Sequence, residues 1–155
     1  MSIISWRKGA MQKIWLLITS ALLVACTLLV TIYYWATIRD KPELTTEFNK
    51  PPPWVIRPGQ NLTLNITIKN EGKVPAKNVG INFTVSIGLK ILQSGTNQYN
   101  GNFPEIKAGE TKVLTLILTT TTAISPGDYP FALIVYAENA QPLTLSDKIT
   151  VQLPA

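Results

Sequence analysis

The chain has 155 residues, with 14 Lys and Arg against 9 Asp and Glu, no His and one Cys. Without His it lacks the commonest general base and transition-metal ligand, and a lone Cys excludes a disulfide framework, a four-cysteine zinc site and a CxxC redox pair. These absences predict a protein that is not an enzyme and uses no cofactor or metal. Charged residues make up 15%, below the roughly 25% of soluble domains, and the shortfall is local.

It lies at the start. From Ile14 to Ile38, between Lys13 and Arg39, no residue is charged and no polar face recurs. About 20 apolar residues suffice to cross a bilayer, so residues 14–38 are predicted to be a transmembrane helix, with Tyr33, Tyr34 and Trp35 at a headgroup belt. Arg7, Lys8 and Lys13 precede it without an acid, whereas Arg39 and Lys41 are balanced by Asp40 and Glu43. The positive-inside rule then places residues 1–13 in the cytoplasm and the remainder outside, in a cell membrane. Much of the basic excess is this topology signal, so membrane lipid is an expected partner and nucleic acid is not. Ser20, Ala21, Ala25, Thr27 and Thr31 are helix-packing candidates, because small and hydroxylated side chains let helices approach closely in lipid. The alternative is that the hydroxyls bond to their own preceding turn.

Three processing readings compete with an uncut anchor. Leu23-Val24-Ala25-Cys26 resembles a bacterial lipobox, but Thr27 to Trp35 stays apolar where a lipoprotein has a polar tether. Arg7-Lys8-Gly9-Ala10 resembles the cleavage site of archaeal pilins and archaellins, although Gln12 and Lys13 interrupt the helix that would follow. An ordinary cleaved signal has an apolar region of only about 7 to 15 residues. The uncut signal anchor is the leading reading.

Residues 39–53 end in three prolines and carry few aliphatic side chains, which predicts a stiff, extended spacer. Beyond it the periodicity becomes two. Leu62, Leu64, Ile66 and Ile68 alternate with Asn61, Thr63, Asn65 and Thr67, and Ile81, Phe83, Val85 and Ile87 alternate with Asn82, Thr84 and Ser86. Lys112 to Thr122 is β-branched, Phe131 to Tyr136 is apolar on both faces like a central strand, and Ile149, Val151 and Leu153 should point inward from a last strand. Turn residues separate these runs at Pro58-Gly59, Glu71-Gly72, Asn100-Gly101, Ala108-Gly109 and Pro126-Gly127-Asp128. The expected domain over 54–155 is all-β, an immunoglobulin-like antiparallel β-sandwich of about seven strands. Tyr129 resembles the tyrosine corner of such sandwiches. Trp54 is either a partner contact or, as such a residue more often is, a seal on the open end of its own sandwich.

The segments Arg57-Pro58-Gly59, Leu62 to Gly88, Ile106 to Leu118 and Ser125 to Asn139 together resemble the CARDB-type immunoglobulin-like domain. The shared features are a PG turn into the first long strand, N-x-G after it, a small residue leading to Asn-Val, an AGE turn, and PGxY before the central strand. The resemblance covers roughly residues 55–153 and implies a surface or S-layer-associated protein of archaeal or bacterial origin. The acidic, Asn-rich ending frequent in that family is replaced here by AENAQPLTLSD, which puts a ligand role for that stretch in doubt.

Asn61, Asn65 and Asn82 each begin an N-x-T sequon on a polar strand face and are candidate glycosylation sites. The alternative is plain solvated Asn and Thr. Lys90, Lys107 and Lys112 read as a solvated surface. The expected function is that of a single-pass, non-enzymatic envelope protein. It would act as a structural or interaction subunit within a homo- or hetero-oligomeric assembly of membrane or surface-layer proteins, such as an archaellum, pilus or membrane-complex accessory. The alternatives are a processed archaeal pilin and an archaeal virion membrane protein.

Overall fold

The computed structural model describes residues 3–39 and 41–153. Asp40, part of the charge balance after the apolar run, lies outside the described residues. The chain divides into two units, one carrying a helix and the other beginning at Lys41.

The first unit is α1 (Ile3–Arg39), a helix of 37 residues. Leu, Ile and Ala dominate it, and no proline occurs before Pro42, so nothing interrupts its hydrogen-bond ladder. Its segment Trp15–Trp35 is long and apolar enough to cross a membrane. The helix extends back to Ile3, well before the predicted start at Ile14.

The second unit is a sandwich of nine strands among the described residues. These are β1 (Leu44–Phe48), β2 (Trp54–Ile56), β3 (Asn61–Asn70), β4 (Ala76–Val85), β5 (Leu89–Ile91), β6 (Gln98–Ile106), β7 (Thr111–Thr120), β8 (Gly127–Ala137) and β9 (Ala140–Val151). One sheet has the order β1-β3-β7-β5 and the other β2-β9-β8-β4-β6. Pairing is antiparallel except for β2 against β9, which is parallel.

The alternations in β3 and β4 become the core. Leu64, Ile66 and Ile68 face Ile81, Phe83 and Val85 across the gap between the sheets, and all six are buried. At one end Trp54 sits edge-on to Phe48 at 5.0 Å and to Phe131 at 5.3 Å, and Phe83 lies 5.4 Å from Phe131. Such offset aromatic pairs add about 0.5–1.5 kcal/mol each beyond their burial.

Several expectations are corrected. The predicted spacer is part of the sandwich from Leu44 onward: β1 pairs with β3, and Leu44 is buried. Pro51 to Pro53, with the Pro52–Pro53 peptide cis, carry the chain from one sheet to the other. Leu44, Thr46 and Phe48 share the inward face, and the central Thr hides the alternation. Asn100-Gly101 is not a turn but lies inside β6, where Gly101 lets the Tyr99 ring fold along the strand; an added Cβ would meet that ring at 2.9 Å. In β8 only one face is covered, and Ile134 and Tyr136 are exposed on the other. Leu153 lies past the end of β9 and is exposed.

Candidate interaction surfaces

All the side chains from Trp15 to Trp35 are exposed within this chain. Water would charge about 25 cal/mol per Å² for this apolar surface, so α1 needs lipid or other helices around it. The five packing candidates do not form one stripe. At about 100° per residue, Ser20, Thr27 and Thr31 align, while Ala21 and Ala25 lie roughly a third of a turn away. Thr27 and Thr31 line a shallow groove with Leu23, Cys26, Val30 and Tyr34. The hydroxyls are turned to their own helix: Ser20 donates to the Leu17 carbonyl and Thr27 to that of Val24, both at 2.9 Å, and Thr31 to that of Thr27.

The three sequons stand in different surroundings. Asn61 is exposed, opposite Thr119. Asn65, on the same face, accepts from the Thr115 hydroxyl at 2.9 Å. On the outer face of the other sheet, Asn82 donates through Nδ2 to Asn100 Oδ1 at 3.0 Å and accepts from Thr84 at 3.0 Å.

Trp54 is 4% exposed and its indole N–H donates to the Lys50 carbonyl at 3.0 Å. It seals its own sandwich and is not free to contact a partner, which corrects that reading. A recess of about 300 Å³ bounded by Ile87, Leu89, Lys90, Thr96, Asn97 and Thr121 holds one cation and no carboxylate. Lys112 spends its charge on Glu110 at 2.6 Å; that ammonium and the Lys107 backbone N–H hold the Glu110 carboxyl below its ordinary range. Lys148, at 2.6 Å, and the Thr150 hydroxyl do the same for Asp128, and the Lys148 ammonium is raised in turn.

The recurring motif residues serve the backbone. Gly59 takes a φ of 74°, and its N–H donates to Thr120 Oγ1 at 2.8 Å, closing the PG turn. Asn70 is fully buried and makes four bonds: it donates to the carbonyls of Val74 and Ile106 and accepts from the N–H groups of Glu43 and Gly72. A Cβ at Gly72 would fall 2.5 Å from the backbone of Lys41 and Glu43, so only glycine fits beneath that segment. Glu110 accepts from the Lys107 N–H at 2.8 Å and closes the AGE turn, while Tyr129 donates to the Ser125 carbonyl at 2.9 Å as a tyrosine corner does.

The CARDB sequence profile matches residues 41–141, which begins at the segment Asn70 and Gly72 hold in place. The chain belongs to the CARDB family. Among solved structures, a CARDB domain from Pyrococcus furiosus in complex with di-metal ions is 20% identical. It superposes with a TM-score of 0.54 over 72% of this chain and 90% of that one. Its solution structure is similar, at 21% identity and a TM-score of 0.50 over 72% and 96%. Native α2-macroglobulin of E. coli contains a domain of like fold, at 17% identity and a TM-score of 0.55, over 71% of this chain and 7% of that one. At these identities the likeness is one of fold. A search of curated proteins finds no match. Among the described residues of this chain no three His, Cys, Asp or Glu side chains come together.

Proposed function

We propose that this CARDB protein is a non-enzymatic, single-pass envelope protein, with residues 1–13 cytoplasmic and the sandwich outside. Its role is that of an interaction subunit in a larger membrane or surface assembly, such as an archaellum, pilus or membrane-complex accessory. The observation that carries this reading is the Trp15–Trp35 span, apolar and exposed on every side, attached to a domain whose motif residues are spent on holding its own backbone. Three basic residues before the span and balanced charge after it support the orientation.

The decisive experiment is purification in mild detergent with identification of the chains that come along. A soluble fragment starting at Lys41, early enough to keep the backbone that covers Gly72, should recover those chains weakly. Two weak contacts joined on one chain reinforce each other through effective concentration. Equal recovery by the fragment would make the helix a tether only. External labelling of a Cys placed at Ser5 would overturn the orientation, and loss of residues 1–9 by intact mass would favour the processed pilin. Among the sequons, Asn61 is the most exposed, and peptide mass mapping from the native source should find glycan there first.

A further inference from the structure

The outer face of the five-stranded sheet has a composition unlike the rest of the surface. Tyr136 on β8 is 49% exposed and lies across Gly80 of β4: a Cβ at residue 80 would fall 2.1 Å from its ring. The ring is therefore carried on the backbone of the neighbouring strand, covering a glycine, as aromatic side chains do on sheets. Beside it stand Ile134, 37% exposed, and the bonded row Thr84–Asn82–Asn100. Asn82 pairs with Ile134 on one side and Asn100 on the other, and Asn102 pairs with Gly80, so these groups share one face. Charge lies toward its ends, in the Lys148–Asp128 pair at one and in Lys77, Glu105 and Glu138, which accepts from Asn78, at the other.

We propose that this face binds a neutral oligosaccharide carried by another molecule. A pyranose has an apolar C–H face that stacks on an aromatic ring and a rim of hydroxyls that donate and accept at once. Carboxamides match that rim because each offers two donors and an acceptor. Asn100 Oδ1 already accepts from Asn82, which orients the pair and leaves the Asn100 amino group facing solvent. A charged side chain would have to be desolvated against a neutral ligand, and the centre of this face has none. A protein partner is the poorer fit: a standard interface takes about 800 Å² per side around an apolar centre, and here the large exposed apolar side chains are Ile134 and Tyr136 on β8 and Val55 out on the edge strand β2. The outer face of the four-stranded sheet, rich in Thr, has no aromatic ring. This inference is independent of how the helix is anchored.

The test uses the full chain in a detergent without a sugar headgroup. It is titrated by calorimetry and saturation-transfer NMR with neutral hexaoses of glucose, mannose and N-acetylglucosamine, and with an acidic galacturonate hexaose. At least one neutral hexaose should bind and the acidic one should not. Tyr136→Ala should weaken binding about tenfold and Asn100→Ala about fivefold, magnitudes set by one stacking contact and one hydrogen bond. Tyr136→Phe, which keeps the ring over Gly80, should bind within about twofold of the original chain, so a folding defect in Tyr136→Ala would not hide the result. Val113→Ala on the other sheet should change nothing. Absence of binding to every neutral hexaose, binding indifferent to both Tyr136→Ala and Asn100→Ala, or preference for the acidic one would overturn the proposal. So would a native chain whose own glycan at Asn82 occupies the face.

Discussion

α1 and the sandwich are made from much the same aliphatic residues, arranged to opposite ends. Between Trp15 and Trp35 the side chains are exposed all round, whereas in β3 and β4 every second side chain is buried against the opposite sheet. The sandwich therefore holds its solvent-excluding partner within itself, and α1 must find one elsewhere. A continuous apolar run commits a segment to surroundings the chain does not supply; an alternating one commits it to a core.

Substitutions should separate the two regions. Phe83→Ala, at a fully buried position in the aromatic cluster, should cost the sandwich about 3–5 kcal/mol, read by urea unfolding of the Lys41 fragment, and leave membrane partition unchanged. Leu23→Arg should do the reverse, opposing insertion by about 3 kcal/mol, seen as release of the chain on alkaline extraction of membranes, while the sandwich melts as before. If Leu23→Arg also unfolded the sandwich, the two regions would not be independent.

Within the sandwich, Asn70→Asp should cost about 2–3 kcal/mol, because a carboxylate cannot donate to the buried Val74 and Ile106 carbonyls. Its signature is a loss of stability without earlier exchange of the Glu43 and Gly72 amides, because the oxygen that accepts from them is kept. Tyr129→Phe removes a single bond to the Ser125 carbonyl and should cost about 1 kcal/mol in the same denaturation measurement.

The smallest effect is that of pH. Asp128 and Glu110 have carboxyls held below their ordinary values, so their contribution is present above the unfolded carboxylate range, about pH 4, and is lost as pH falls through the lowered folded values. Lys148 is raised, so its contribution persists below the ordinary lysine value and fades as pH rises past it. Both pairs are at the surface and weakened by salt. The melting temperature should therefore fall slightly below about pH 4 in low salt, less so in Asp128→Asn, and hardly at all in high salt.

The legible parts were those where one residue's neighbours in sequence are also its physical context. The alternation in β3, the inward Ile149 and Val151 of β9 and the Tyr129 corner depend on strand parity and a local turn, and they stand where the sequence predicts. β1 was hidden because its inward set includes Thr46. β6 was hidden because its inward Gly101 and outward Asn100 and Asn102 read as a turn. The Gly is tolerable only because Tyr99 covers it, a contact invisible until the strand is formed. On α1 the five packing candidates fall on two faces, because the helical angle sets Ala21 and Ala25 apart from Ser20, Thr27 and Thr31.

What the sequence determined by itself was the apolar span and the period-two strands, because hydropathy and parity are properties of consecutive residues. Only the tertiary structure decided that Trp54 is sealed between Phe48 and Phe131. It also decided that Asn70 ties Glu43 to Ile106, and that Tyr136 lies over Gly80 with Asn82 and Asn100 on the same face. Each of these joins residues distant in the chain, and their meeting depends on the strand order and register that the packed core imposes.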